Sequence, residues 1–479
     1  MDEIVSEVQR HGIMLMLSSA GITLIGFFAT MFYAHWVGAT VLGAYFLFLS
    51  VFSILTIFTD LGIGLSAQKK MCEGKDQDQV FTANIIVRLV LYLFIVGALI
   101  IFGEKFVTFN SSGIFFALIA VLGISTVSSS ISVAMGASNR LGLLATGSFF
   151  NNLIRITVQV VLVYCGYEIS GLIGGLVAGI LFEMCLYFRY IDYNLVSFTL
   201  GNVKTLFSYS WMVFLTITGT SIFENISLIL LGSFLSVTAV GIFGVCWTFS
   251  FFALFISNAL VNTLYVKVSR WHAEKDMSVI IQSLSRAMTY ALVFSIPIFI
   301  GAIILGERLL YYFYGATFSA GAAALVIIIG MRVFQSIHQL FSYYLIAMNQ
   351  ARLAFFGVIF GLIANIILAI ALIPFFGLVG AALASLSYIL INVFFEYRCL
   401  SRSMPIVFEK SRIGRIVLAA LSMGILLLII DKFWNMPGVA KPIAMIILGS
   451  VIYFTLLLKM DHQLREDALR ILRINWLPR

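Results

Sequence analysis

Residues Gly171–Ile180 read "GLIGGLVAGI", and Gly377–Leu386 read "GLVGAALASL". The second phrase stands 206 residues after the first, and each follows one apolar stretch and opens another. Earlier in the chain "LGAYFLF" from Leu42 pairs with "VGIFGVC" from Val240, setting Gly43 against Gly241 and Tyr45 against Phe243 at an offset of 198. At the same offset Asn84, Arg88 and Tyr92 meet Gln282, Arg286 and Tyr290. "GASNRLG" near Arg140 then answers "MNQARLA" near Arg352, at 212. Four matches in one order, with offsets that drift as loop insertions would make them drift, describe a duplicated unit.

The solvent of that unit follows from composition. Of 479 residues 61% are apolar and 10% charged, against about 25% charged in soluble proteins. Apolar runs of about 20 residues recur along the chain, long enough to cross a bilayer as helices. They lack the alternation of a barrel strand, and in hydrocarbon only helices and closed barrels satisfy the backbone. The expected fold is therefore an all-α polytopic membrane protein with 14 transmembrane helices. The spans run over 12–34, 44–66, 80–102, 113–134, 143–164, 169–188, 208–231, 239–264, 282–304, 321–347, 353–373, 378–397, 414–432 and 441–459. The first, being long and retained, reads as a helix rather than a cleaved signal.

Six spans are an even number, so the two copies share one orientation, a parallel repeat about an axis along the membrane normal. The expected organisation is a six-helix lobe over 1–190, an amphipathic cytoplasmic linker over 191–207 and a second six-helix lobe over 208–397. A cytoplasmic loop with two appended helices follows over 398–459, then a basic tail over 460–479 that lies on the inner leaflet as an amphipathic helix. Small residues in the opening phrases let helices approach closely where packing replaces the hydrophobic effect. Of the 29 Lys and Arg, four arginines lie well inside spans, four residues (Lys105, Arg308, Lys432 and Lys441) in one set of loops or at the span ends bordering it, and 21 in the other set, its bordering span ends and the termini. By the positive-inside rule both termini are cytoplasmic. The net charge of +8 is thus topology, and no nucleic-acid partner is expected.

Charged groups at membrane depth usually face a cavity or a partner. Arg88, Arg155, Arg286 and Arg332 lie within spans, Arg155 and Arg332 near mid-span. Asn151, Arg155 and Gln159 follow an i, i+4, i+8 spacing, and Arg332, Gln335, Ser336 and Gln339 an i, i+3, i+4, i+7 spacing with His338 close by. Such spacings stack polar groups on one helix face. Arg88, Arg155, Arg286, Arg332, Gln159, Gln335, His338 and Gln339 are the candidate substrate-binding residues. Guanidinium suits phosphate oxygens, and amides and imidazole suit sugar hydroxyls. The other expectation for the arginines is an internal pair with a carboxylate. Asp60, Glu183 and Glu396 lie near one end of their spans, where they snorkel, cap or pair with Arg or Lys. Glu224, about 24 Å into span seven, continues a polar line from Thr216 and Thr220 towards Ser227; it either joins a structural pair or binds a coupling ion.

Other chemistries find little support. The five cysteines are scattered, without disulfide or zinc spacing. The chain has no P-loop pattern, and its one Asp-x-Asp pair, Asp76 and Asp78, reads as a solvated loop. No enzyme activity, cofactor or metal is expected.

Several longer stretches resemble the polysaccharide transporters (O-antigen flippase-like) of the multidrug/oligosaccharidyl-lipid/polysaccharide (MOP) flippase superfamily. They are "GATVLGAYFLFLSVFSIL…TDLGIG", "ENISLILLGSFLSVTAVGIFG" from Glu224, "LYYFYGATFSAGAAAL" from Leu310 and "IPFFGLVGAALASLSYIL" from Ile373. The resemblance implies a flippase of the cytoplasmic membrane, moving undecaprenyl-diphosphate-linked oligosaccharides for O-antigen or other surface polysaccharide. Its lobes would alternate access around a cationic cavity, with membrane lipids and a polysaccharide polymerase or ligase complex as partners. The chain departs from many relatives in carrying Glu224 and Asn225 where they carry an aspartate. The other function considered is a cation-coupled multidrug extruder of the same superfamily, which usually needs a deep carboxylate that span one lacks.

Overall fold

The structure, a computed structural model, describes residues 2–74, 76–106, 112–434 and 438–466. The described residues form helices and no strands, and ten of the helices are long and apolar enough to cross a membrane. The chain is a multi-span membrane protein. It divides into two compact units, Met1–Gly244 and Val245–Arg479.

The first unit holds α1 (Asp2–Asp60), α2 (Ile63–Cys72), α3 (Gln77–Phe106), α4 (Ser112–Ala137), α5 (Leu141–Tyr164), α6 (Glu168–Phe188), α7 (Leu200–Phe234) and the start of α8 (Val237–Ser250). α1 breaks at Gly38, whose φ of 74° is open to glycine at little cost. Residues 191–199 are not helical. α7 begins at Leu200, eight residues before the expected span, where the Thr199 N–H donates to Asn202 Oδ1 at 3.4 Å in the manner of a capping box.

The phrase "GLIGGLVAGI" lies on α6. A methyl group added at Gly175 would stand 2.7 Å from the Arg155 carbonyl oxygen, and one at Gly179 2.8 Å from that of Asn151. α6 therefore lies directly on the backbone of α5, an approach no larger residue permits. A second close approach joins α1 to α8. Side-chain atoms added at Gly43 and Gly241 would meet the carbonyl oxygens of Val237 and Ala39 at 1.9 and 2.0 Å. Thr40 Oγ1 lies 2.8 Å from Thr238 Oγ1, and Phe46 packs on Gly244. Each of these pairs is built from positions related by the offset of 198, and the contact reads the same from either helix, as a twofold crossing does.

The second unit continues with the rest of α8, a 3₁₀ turn at Phe251–Leu254, α9 (Phe255–Ala273), α10 (Met277–Tyr314) and a second 3₁₀ turn at Ala316–Gly321. Then come α11 (Ala322–Ala347), α12 (Ala351–Ser403), α13 (Lys410–Phe433) and α14 (Ala440–Met460). α12 breaks at Gly377, φ 56°, the first residue of the repeated phrase. One core joins α9, α10, α11 and α12 through Val268, Leu284, Met288, Phe341 and Leu400. Another seats α13 and α14 on α10 through Leu305, Met423, Leu427, Met445 and Tyr453, whose hydroxyl donates to the Val293 carbonyl at 2.7 Å. Ion pairs pin these helices at both ends: Asp431 takes Arg308 and Lys441, and buried Asp461 takes Arg412 and Arg415. The expected amphipathic tail helix lies, from residue 467, outside the described residues.

Candidate functional site

α5 carries the stripe Asn151, Arg155, Gln159. Its packing against the glycines of α6 turns much of that stripe inward. Gln159 is buried; its Oε1 accepts from the Tyr33 hydroxyl at 3.0 Å, and its Nε2 donates to Tyr45 Oη at 2.8 Å and to the Leu172 carbonyl at 2.7 Å. Asn151 donates to Glu183, which also accepts from Tyr187. Arg155 is half-buried, one turn from each. Its Nη2 donates to Asn152 Oδ1 at 2.8 Å and its buried Nε makes no hydrogen bond. No carboxylate pairs with Arg155 among the described residues.

Arg88 and Arg286, one repeat apart, have opposite surroundings. Arg88 is buried, 3.2 Å from Asp60 Oδ1, and donates to Ser129 and Ser130 at 2.8 and 3.2 Å. Asp60 also accepts from the backbone N–H groups of Gly62 and Gly64, so it caps and pairs, as expected of a carboxylate near a span end. In the second unit the residue 198 positions after Asp60 is Asn258. Arg286 is exposed, as are Asn258 and Gln282, and it has no carboxylate partner among the described residues. At the offset of 198 the cation is present in both units and the acid only in the first.

Arg332 is wholly buried. Its guanidinium carbon lies 4.3 Å from the ring centres of both Trp247 and Phe251, its Nε donates to Ser250 Oγ at 2.9 Å and its Nη1 to Gln335 Oε1 at 2.6 Å. Trp247, Ser250 and Phe251 share one face across the end of α8, and a cation between two desolvated rings gains about 2 kcal/mol or more. Arg332 is thus held inside the second unit and does not reach its surface in this structure. Gln339 accepts from Ser257 at 3.1 Å, and His338 bonds Glu396 at 2.8 Å. Glu396 therefore pairs with a histidine rather than an arginine or lysine. Glu224 is half-buried on α7 beside Asn225, which donates to Ser53 at 3.1 Å. The side chains of Thr216 and Thr220 lie outside those described.

Tyr33, Tyr45, Ser129, Ser130, Trp247 and Phe251 complete these clusters and are not among the candidate site residues read from the sequence, where Tyr45 enters only as part of the repeat. Tyr33 and Tyr45 precede Gln159 by 126 and 114 residues, and no local pattern joins them. The i, i+3, i+4 run of Trp247, Ser250 and Phe251 is a visible signal, but without Arg332 it reads as ordinary apolar packing.

Comparison with known proteins bears on what such a chain does. A probable low-salt glycan biosynthesis flippase, Agl15 of Haloferax volcanii, is 25% identical over 97% of this chain and 98% of its own length. A probable flippase of the same organism, AglR, is 22% identical over 94% and 95%. Among solved structures, the lipid II flippase MurJ in an inward closed conformation shares the fold with a TM-score of 0.77, at 17% identity, over 94% of this chain and 99% of its own. An inward-facing multidrug resistance MATE transporter of the MOP superfamily matches with 0.61, at 14% identity, over 80% and 95%. These proteins are named flippases and transporters, not catalysts. Residues 37–323 match the model of the family described as "Polysaccharide biosynthesis protein", more than half of the 479, and the chain belongs to that family.

Proposed function

We propose that this protein flips a lipid-linked oligosaccharide across the cytoplasmic membrane, the glycan on a polyprenyl diphosphate for which the sequence resemblance implies undecaprenol. The observation that carries this is that two arginines within expected spans, the half-buried Arg155 and the exposed Arg286, pair with no carboxylate among the described residues, in a chain whose relatives are named flippases. A diphosphate must lose water to leave the headgroup layer, and guanidinium offers it two parallel charge-assisted hydrogen bonds. Amides, tyrosines and His338 suit the sugars, and the lipid tail never leaves the bilayer.

Breaks at Gly38 and Gly377 cut α1 and α12 in two, and α5 and α7 add to the ten apolar helices, which supports the reading of fourteen spans in two parallel lobes. In that reading both termini are cytoplasmic and the lobes alternate access around a cationic path. Arg88 and Arg332 serve this path from within the packing, with Gln335 orienting Arg332; Gln159 and Gln339 hold the helices that bear the binding groups.

The test is reconstitution of the purified chain into vesicles carrying a polyprenyl-diphosphate oligosaccharide in one leaflet, with a membrane-impermeant glycan reagent reporting its appearance in the other. Flipping above empty vesicles is the expected result. No flipping, with export of cationic drugs instead, would establish the multidrug extruder.

The contrast between repeats gives a sharper outcome. By the offset of 198, Asn258→Asp puts an acid at the position that Asp60 holds relative to Arg88, to test whether it pairs with Arg286. An exposed ion pair is worth about 1 kcal/mol, so flipping should fall about fivefold at unchanged folded protein, while Asn258→Gln should leave it near the wild-type rate. Equal rates for the two variants would remove Arg286 from the binding path.

A further inference from the structure

Glu396 is wholly buried on α12. Its Oε2 lies 2.8 Å from His338 Nδ1 on α11, and its Oε1 makes no hydrogen bond. One turn earlier Asn392 donates Nδ2 to the Tyr388 carbonyl at 2.8 Å and leaves Oδ1 unpartnered. Asn365, on the first half of α12, is wholly buried with both amide atoms unpartnered. Buried amide and carboxyl atoms without partners are uncommon because each is costly. No Lys or Arg pairs with Glu396 among the described residues. The titratable groups facing it are His338 from α11 and Cys399 on its own helix, with the Ser342 hydroxyl also against the carboxyl; Arg402 faces Cys399. His338 alone of the pair reaches the surface, its side chain 13% exposed against 0% for Glu396.

This is the arrangement of a relay: a surface-touching imidazole in front of an enclosed acid. Histidine changes charge near neutral pH and its two nitrogens can take and give a proton at once. A deprotonated pair would leave a lone negative charge with no second partner, whereas one added proton makes the pair neutral, on either atom. We propose that His338 and Glu396 form a binding site for one proton in the second unit, loaded through His338 and coupled to the transport step. A hydronium ion delivers a proton to His338 Nε2 and leaves as water while Nδ1 passes its own proton to Glu396 Oε2, so the pair gains one proton and the imidazole ends neutral. Release reverses both transfers. The coupling rests on the flippase reading; the proton site itself does not.

The two parts are tested separately on the full chain. Infrared difference spectra of the purified protein across a pH step, without cargo, should show the carbonyl band of a protonated carboxylic acid that Glu396→Gln removes and Glu396→Asp keeps, shifted. Size-exclusion profiles establish that both variants are folded. In vesicles, a gradient of one pH unit can speed one-proton-coupled flipping by up to about tenfold. The wild type should respond and Glu396→Gln should not, and a sodium gradient should have no effect on either. Absence of the acid band, or its persistence in Glu396→Gln, overturns the proton site. A band with no response to the pH gradient, or an equal response in Glu396→Gln, overturns the coupling. Absence of all lipid-linked transport defeats the flippase reading and leaves the infrared result standing.

Discussion

Arg155→Ala should reduce flipping 30-fold or more while the protein still inserts, folds and resists heat like the wild type. Truncating one partner of a desolvated, hydrogen-bonded charge pair costs about 2–5 kcal/mol, and the lower figure already corresponds to about 30-fold. The loss falls on the cargo because no carboxylate pairs with Arg155 among the described residues; its one recorded bond is to Asn152. An arginine in a structural pair behaves otherwise, since its removal strands a buried acid at about 3–5 kcal/mol. Arg88→Ala is the internal comparison: it strands Asp60 and should lower the amount of folded protein first. Arg155→Lys should recover only part of the rate, because an ammonium is a point charge and cannot fork across two phosphate oxygens. Flipping per folded molecule separates the cases. A normal rate for Arg155→Ala would sink the assignment.

That the four arginines belong to apolar helical stretches is legible in the sequence; their surroundings are not. Arg88, Arg155, Arg286 and Arg332 all stand in apolar runs and, in the structure, on helices. What neutralises or shields each comes from elsewhere in the chain: Asp60 for Arg88, and rings of Trp247 and Phe251 for Arg332. The stripe Asn151, Arg155, Gln159 does share a helix face. Periodicity does not say what that face meets, and here it meets the glycines of α6. The all-helical membrane fold and the family follow from composition and motif order, because a bilayer allows few alternatives.

The close approach of α1 and α8, at positions 198 apart in the sequence, predicts the most damaging small substitutions in the molecule. Gly43→Ala and Gly241→Ala should each destabilise the protein by about 3 kcal/mol, the upper end for overpacking, and the matching Leu variants should not accumulate folded. A methyl at Gly43 would lie 1.9 Å from the Val237 oxygen, and one at Gly241 2.0 Å from the Ala39 oxygen. Both obstacles are backbone atoms within helices and cannot rotate aside as a side chain would. Relief requires the helices to part, which also breaks the contact between Thr40 and Thr238 and forfeits about 1 kcal/mol more. Because both glycines relax through the same separation, the double alanine variant should lose less than the sum of the singles. Gly97→Ala on α3 supplies the control: nothing lies within 4 Å of the added carbon, and helix propensity alone should stabilise it by about 0.5–1 kcal/mol. Thermal unfolding of the purified variants reads all of these. Wild-type stability in Gly43→Ala and Gly241→Ala would mean that α1 and α8 do not cross at these residues, and strict additivity would mean that the two sites do not share one contact.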